Sequence, residues 1–479
     1  MSQYKTPDVY VREKSILPPS VAEVATAIPA FIGHTTQLNE AGDAANFLNM
    51  PVRITSMVQF EANFGGPYKE SFTLMPSSKG YDITNVAAVA DDLAKLEGAK
   101  FFLHQAVSHF FANGGGACYV VSIGMAGTLA SKESYSAGID LLNKVDEVTL
   151  ISSPEAIGLD EVGHYEVQNK ALKHAEKRMD RFALVDVQMQ ETPAGTTAIV
   201  HDSERLRAKV TQGLKYGASY YPYLKTTIAR SYDEANVTVK VVEDETADPI
   251  TYKDVMLSVL GNDDSTNTDY NAQIYNQAKA ALAKSYLVLP PSPAVAGIIA
   301  KTDKERGVWK APANVALSQV LAPTLAIDST EQESLNVDAI SGKSINAIRT
   351  FVGKGTLVWG ARTLAGNDNE WRYVSVRRLF NLVEESIQKA TQFAVFEPNT
   401  PFTWLKLKTM IESYLENLWR QGAFFGETPD QAFFVNVGLG QTMTEDDINN
   451  GVMNIEIGLA AVRPAEFIVL TFSHKSLEG

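Results

Sequence analysis

The sequence predicts a multi-domain chain of mixed α/β and α+β class, with extended β arms at its N- and C-terminal ends. Three observations carry that prediction. Between residues 23 and 370 short apolar runs alternate with helical stretches, the pattern of a largely parallel sheet covered on both faces. After 371 the pattern changes to two long amphipathic helices followed by short strands, an α+β module. At each terminus a brief β-rich run stands without a hairpin partner close by in sequence.

Residues 1–22 form the first arm. Val9, Tyr10 and Val11 make a short strand that Pro18 and Pro19 cut off. Its partner is either a distant edge of its own domain or another chain. The α/β domain then runs over 23–370. Residues 27–34 read as a buried strand, and 52–66 as an amphipathic segment ending on Gly65 and Gly66. Apolar residues at helical spacing fill 93–111, and Asn113 with three glycines stops that helix. Strands are expected at 117–124, 148–156 and 181–187, with a polar helix containing 169–178 between the last two. Runs 217–226 and 356–364 add two more. Residues 231–284 break the rhythm, being polar and acidic, and read as an inserted hairpin and loop exposed on the domain. No repeat at a fixed period appears, which argues against solenoids and propellers.

The module at 371–461 opens with a helix over 375–393, whose apolar stripe is Val376, Phe380, Val383, Ile387 and Ala390. A second helix over 403–421 carries Trp404, Leu407, Ile411, Tyr414 or Leu415, and Leu418. Thr403 is its expected N-cap and Gly422 the residue past its end. Both helices are expected to turn a polar face to water opposite the stripe. Residues 452–460 alternate apolar and polar side chains, as a half-buried strand does. The second arm is 462–479. In it Phe467, Ile468, Val469, Leu470, Thr471 and Phe472 are apolar on both faces, a run that aggregates if left on an open edge. Something must cover it.

Composition excludes more than it identifies. A chain of 479 residues with 45% hydrophobic content can bury sizeable cores, enough for two or three domains. A net charge of −14 argues against a nucleic-acid binder. Cys118 stands alone, so an intramolecular disulfide and a cysteine zinc cage are both excluded, and it reads as a small buried hydrophobe. The N-terminal residues lack the apolar core of a signal peptide, and no stretch reaches the ~18 apolar residues of a span. The expectation is cytoplasmic assembly, with exit by lysis or within a particle, and no direct membrane insertion.

A search for chemistry returns near misses and no catalytic, cofactor-binding or metal residues. Gly342, Lys343 and Ser344 end like a phosphate loop, but Val337 occupies the place of the glycine that bends such a loop round its ligand. His104 and His109 are five residues apart, on different faces of a helix. Glu384 and Glu385 are adjacent, about 100° apart on a helix, and read as a solvated face rather than a carboxylate pair.

Five blocks do carry a message through their order and spacing: Arg372-Tyr373 to Arg378; Phe396-Glu397-Pro398-Asn399; Trp419-Arg420-Gln421-Gly422; Gln431-Ala432-Phe433-Phe434-Val435; and Arg463-Pro464-Ala465-Glu466-Phe467. Together they resemble the C-terminal module of contractile tail sheath proteins, the subunits of phage tails, tailocins and extracellular contractile injection systems. Residues 6–13, 290–314 and 356–364 resemble further sheath blocks, so the likeness covers most of the chain apart from 231–284 and parts of 35–110. Asp8 departs from the pattern, since many sheaths have glycine after the proline.

The resemblance implies hexameric rings stacked into a helical sleeve around an inner tube, and a metastable extended state whose contraction drives the tube through an envelope. It implies an outer α/β domain at 23–370, an inner tube-facing domain at 371–461, and arms that complete a sheet shared between subunits. The implied partners are further copies of the chain, an inner tube protein, and baseplate and cap or terminator proteins, with no nucleic acid and no cofactor. Lys406 and Lys408 are the candidate tube-facing residues. Two cations in the first turn of a helix oppose its dipole, so they either solvate a surface helix or meet a negatively charged partner. Another structural subunit of the same machine, or a soluble α/β enzyme with a dispersed site, are the competing readings.

Overall fold

The computed structural model describes residues 21–38, 46–77, 80–84, 101–129, 131–244 and 249–470. They divide into two compact units. The larger holds the described residues of Ala25–Asn381 with 463–470; the smaller holds Leu382–Val462 with 21–24.

The larger unit is built on a nine-stranded sheet. Six strands in its middle run parallel, in the spatial order Ile345–Phe351, Gly217–Tyr221, Phe182–Asp186, Leu150–Ser152, Pro29–Thr35 and Cys118–Met125. Antiparallel strands close both sides: Gly355–Val358 and Val315–Ala316 on one, Pro51–Ile54 on the other. A strand covered on both faces needs apolar side chains at consecutive positions, and Phe182–Asp186 is buried at all five. Alternate residues feed two separate cores. Ala30, Ile32, Ala183 and Val185 pack with Tyr135, Ile139, Leu172 and Leu206 from the helices Lys132–Leu141, Glu161–Arg178 and Ala198–Lys209. Phe31, Phe182 and Leu184 pack on the opposite face with Phe60, Phe110 and Ile298, from Met57–Phe64, Leu103–Ala112 and Ser292–Arg306.

Three expectations are revised. The run 217–226 is two strands: Gly217–Tyr221 ends before Pro222, and Leu224–Ala229 pairs elsewhere with Tyr286–Leu289 and Val320–Pro323. The strand expected over 148–156 shortens to Leu150–Ser152, because Pro154 opens a 3-10 turn. Residues 231–284 are more than a hairpin and loop. Tyr232–Asp244 pairs antiparallel with Thr251–Met256 and parallel with Glu70–Ser77, which continues to Gly80–Thr84. The helix Ala272–Ala283 gives Ala278 and Leu282 to a core shared with Phe72, Leu74, Val237 and Val239. Arg230 and Glu70 tie the segment in as a buried ion pair at 2.5 Å.

The helix Val374–Thr391 contains the boundary between the units, at Asn381. Its expected solvent face is absent over the first two turns. Arg378 is buried and grips Asp303 at 2.5 and 2.9 Å while donating to Thr26 O at 2.8 Å. Arg377 lies over the Trp371 ring at 4.1 Å and donates to Asn381 Oδ1 at 2.8 Å. A guanidinium with its donors filled and its flat face on an aromatic ring tolerates burial. Glu385 is buried as well, accepting from Lys389 at 2.5 Å, and the expected solvated carboxylate face reduces to Glu384.

In the smaller unit the helix Pro401–Arg420 buries the expected stripe: Trp404, Leu407, Ile411, Tyr414, Leu415 and Leu418. It starts earlier than the sequence indicates, with extended Thr400 as N-cap and Pro401 in the first turn, so Thr403 lies inside the helix and is buried. Gly422 does follow its end, at φ 91°. Its N–H donates to Trp419 O at 2.9 Å and that of Ala423 to Leu418 O at 3.0 Å, the 5→2 and 6→1 pair of a Schellman cap.

Candidate assembly interface

The smaller unit carries a sheet with two strands among the described residues, Phe433–Asn436 and Glu456–Leu459. The sequence expects a longer strand over 452–460; pairing begins at Glu456. Phe434 faces Gly458 across the pair, and a Cβ at Gly458 would overlap the Phe434 ring, so glycine makes room for the aromatic. After the second strand, Ala460 and Val462 stay tied to the unit: Ala460 N donates to Ala432 O at 2.8 Å, and Val462 N to Ala423 O at 3.2 Å. Phe434 within this sheet and Phe425 in the loop before it are 48% and 76% exposed. A two-stranded sheet has little stability of its own and presents unpaired backbone groups along each outer edge.

The chain then leaves this unit at Val462, and Glu466 fixes it on the larger unit. The Glu466 carboxylate accepts from Arg362 Nη2 at 2.6 Å, from Arg362 Nε at 2.9 and 3.1 Å, from Asn336 Nδ2 at 2.8 Å and from Tyr373 OH at 3.2 Å. Arg362 is itself buried, and also donates to Gly366 O at 3.2 Å. Burial pushes the Glu466 carboxyl up, but the bonds from Arg362, Asn336 and Tyr373 outweigh it and hold it below the usual carboxylate range.

Past this clasp the chain has no regular structure to residue 470. Phe467, Ile468, Val469 and Leu470 are 72 to 86% exposed. Residues 467–470 of the expected arm thus belong to no strand of the single chain, and a strand needs a partner edge to form. Thr471 and Phe472, with Val9, Tyr10 and Val11 of the N-terminal arm, lie outside the described residues.

The third region is the start of the Pro401–Arg420 helix. Lys406 and Lys408 are both half-buried. The Lys406 ammonium lies 4.5 Å from the centre of the Phe393 ring, and Lys408 is 3.7 Å from Glu412. Because the helix starts at Pro401, both lysines lie past its first turn instead of within it. Its first two turns also expose Phe402 at 79% and Leu405 at 65%, and the preceding loop exposes Phe396 completely, at φ 69°. Sequence reasoning overlooks these three because attention rests on the buried stripe. The available signal is an apolar pair, i and i+3, off that stripe.

The motif blocks acquire physical reasons here. Asn399 accepts from Trp404 Nε1 at 2.6 Å and donates to Val452 O at 3.0 Å, joining three segments. Trp419 Nε1 donates to Gly426 O at 3.0 Å, and Gln431 Oε1 accepts from Glu427 N at 3.0 Å, which fixes the loop before Phe433–Asn436.

The near misses are packed as framework. Lys343 donates to Arg207 O and Ser344 to Asn336 O, both at 2.5 Å. His104 meets Glu61 at 2.9 Å, and His109 meets Ser318 O at 3.0 Å. Among the described residues no group of three His, Cys, Asp or Glu side chains is placed to hold a metal, and no helix is long and apolar enough to cross a membrane.

Comparison with known proteins agrees with an assembly role. Residues 133–364 match the phage tail sheath protein central domain, and 366–475 the phage tail sheath C-terminal domain. The tail sheath protein of Vibrio phage KVP40 is 31% identical over 132 residues, 27% of this chain and 19% of that one, so the match spans about a fifth of that relative. Two cryo-EM chains align along nearly the whole length. One, from the anti-feeding prophage helical sheath in its contracted state, is 30% identical with a TM-score of 0.61, covering 98% of this chain and 100% of that one. The other, from the anti-feeding prophage baseplate, is 30% identical with a TM-score of 0.61, over 99% and 100%.

Proposed function

The chain belongs to the tail sheath family of contractile systems, whose members are structural rather than enzymatic, and from that premise we propose that it polymerises by exchanging strands between subunits. The observation that carries this is the pairing of a surplus with a deficit. An apolar run starts at Phe467 with its side chains in water, and the sheet Phe433–Asn436 with Glu456–Leu459 has outer edges free of further strands among the described residues. Inserting the 467–472 run of one copy beside the sheet of another covers the first and completes the second by β-augmentation. The N-terminal run at Val9, Tyr10 and Val11 serves the other edge in the same way.

Repeated heterologous contacts of this kind build an open assembly. The likeness to chains of a helical sheath and of a six-fold symmetrised baseplate supports a helical sleeve; in this reading hexameric rings stack around an inner tube, with baseplate and cap proteins at the ends. Contraction then needs two packings of the same subunit linked by joints that do not break, and no nucleotide. Lys406 and Lys408, together with Phe396, Phe402 and Leu405, form the surface assigned to the tube. Assembly occurs in the cytoplasm, and release follows with the particle.

A chain ending at Glu466 tests the reading. It keeps the clasp and lacks the apolar run, and it should remain a folded monomer at concentrations where the full chain forms sheaths. Sheath formation by the shortened chain would remove the strand-exchange claim. The likeness to a chain of the anti-feeding prophage baseplate favours a second reading, a ring-limited subunit at one end of the machine. That reading predicts closed rings instead of open tubes.

A further inference from the structure

Glu466 is the one acid within the apolar stretch 464–472. A carboxylate there would ordinarily sit in water, yet this one is half-buried and takes four donor groups: Arg362 Nε and Nη2, Asn336 Nδ2 and Tyr373 OH. Those donors come from three separate segments of the larger unit. Asn336 ends the helix Ser329–Asn336, Arg362 follows the strand Gly355–Val358, and Tyr373 precedes Val374–Thr391. Arg362 and Tyr373 are joined further by a β-bridge, and Thr363 N donates to Arg372 O at 2.8 Å. The receptor for the carboxylate is thus a rigid corner of the fold. One residue later the packing stops.

We propose that Glu466 anchors the C-terminal arm to the larger unit, so that the run from Phe467 leaves in one fixed direction and a second copy of this chain receives it at low entropic cost. This rests on the strand-exchange reading and adds which residue sets the arm's direction. Ordering a residue before association instead of during it is worth about fivefold in affinity. Releasing Glu466 frees the root at 463–466, so assembly should weaken by at least ~10-fold. The arm's own contacts are untouched by that change. Glu466 is accordingly a positioning residue, acting through the arm it directs.

The test uses the full chain. Glu466→Gln removes the charge at nearly constant size. Because it leaves Arg362 without its carboxylate, the pair Asn336→Ala with Tyr373→Phe serves as a second variant, which thins the clasp and keeps the ion pair. The critical concentration for assembly is measured by sedimentation. Arm mobility in the monomer is measured by electron spin resonance, with a nitroxide on a cysteine placed at 468. Cys118 is buried and does not compete for the label.

The expected result for Glu466→Gln is a critical concentration raised ~10-fold or more, with a sharper, more mobile nitroxide spectrum. The paired variant should move both in the same direction by a smaller factor. Wild-type critical concentrations and spectra in both variants, while the chain ending at Glu466 fails to assemble, would overturn the anchor and leave strand exchange standing. Assembly by the chain ending at Glu466 would overturn both. If Glu466→Gln fails to fold, the paired variant decides alone.

Discussion

Ile468→Ala should be silent in the monomer and severe in the assembly. Ile468 is 78% exposed in the single chain, so its truncation removes almost no buried surface there. Exposed substitutions of that kind stay within roughly 0.5 kcal/mol. In the proposed assembly the arm lies between a neighbour's sheet and the surface covering it, which would enclose the same side chain, and Ile→Ala in an enclosed site costs roughly 2–5 kcal/mol. At 1.4 kcal/mol per decade that is a rise of about 30-fold to about 4,000-fold in the critical concentration. Successive strand residues face opposite sides, so Val469→Ala reports on the other face, and comparable losses at both positions would mean that both faces are covered. The assay pairs a thermal melt of dilute monomer with sedimentation across a concentration series. A lowered melting temperature with unchanged assembly would refute the reasoning, because it would place the arm on its own subunit.

Other outcomes follow from buried groups of the larger unit. Asp303→Asn halves the buried ion pair with Arg378 and leaves a guanidinium without its counter-charge; chemical denaturation should show a loss of roughly 3–5 kcal/mol. Burial pushes the Asp186 carboxyl up to about 7, against the stabilising bonds from the Ser292 hydroxyl and N–H. The folded protein then holds a proton that the unfolded chain releases near pH 4. The contribution of Asp186 to stability should therefore fall as pH rises from about 4 to about 7 and level off above. Asp186→Asn should remove that slope, and urea midpoints that run parallel for the two proteins from pH 4.5 to 8 would contradict it. Burial also raises the Cys118 thiol far above its ordinary value. A thiol reagent should label nothing in the native protein and one site after denaturation; native labelling at a comparable rate would show the strand Cys118–Met125 to be open.

The parallel core was legible in the sequence because strands buried on both faces are apolar at consecutive positions, as in Phe182–Asp186. Pairing between distant segments was not. Nothing near residues 231–284 reveals that Tyr232–Asp244 has its partner at Glu70–Ser77, some 160 residues earlier. Nor can periodicity show that the chain changes sheets at Pro222. Polar residues misled for a related reason. Arg377, Arg378 and Glu385 look like a solvent face until Trp371, Asp303 and Lys389 fill their needs. Trp404, Leu407, Ile411 and Leu418 were recoverable, since a helix records its buried side locally. Of the candidate interface, the apolar run at 467–472 was visible from composition. The clasp at Glu466 was visible at most as a lone acid among apolar neighbours, since its partners lie 93, 104 and 130 residues away.

The central claim is that this chain builds an open sleeve from its own copies. Electron microscopy of the purified full-length protein at high concentration addresses it directly. The account predicts hollow, helically striated tubes. Monodisperse globular particles at every concentration, with folding intact by circular dichroism, would contradict it.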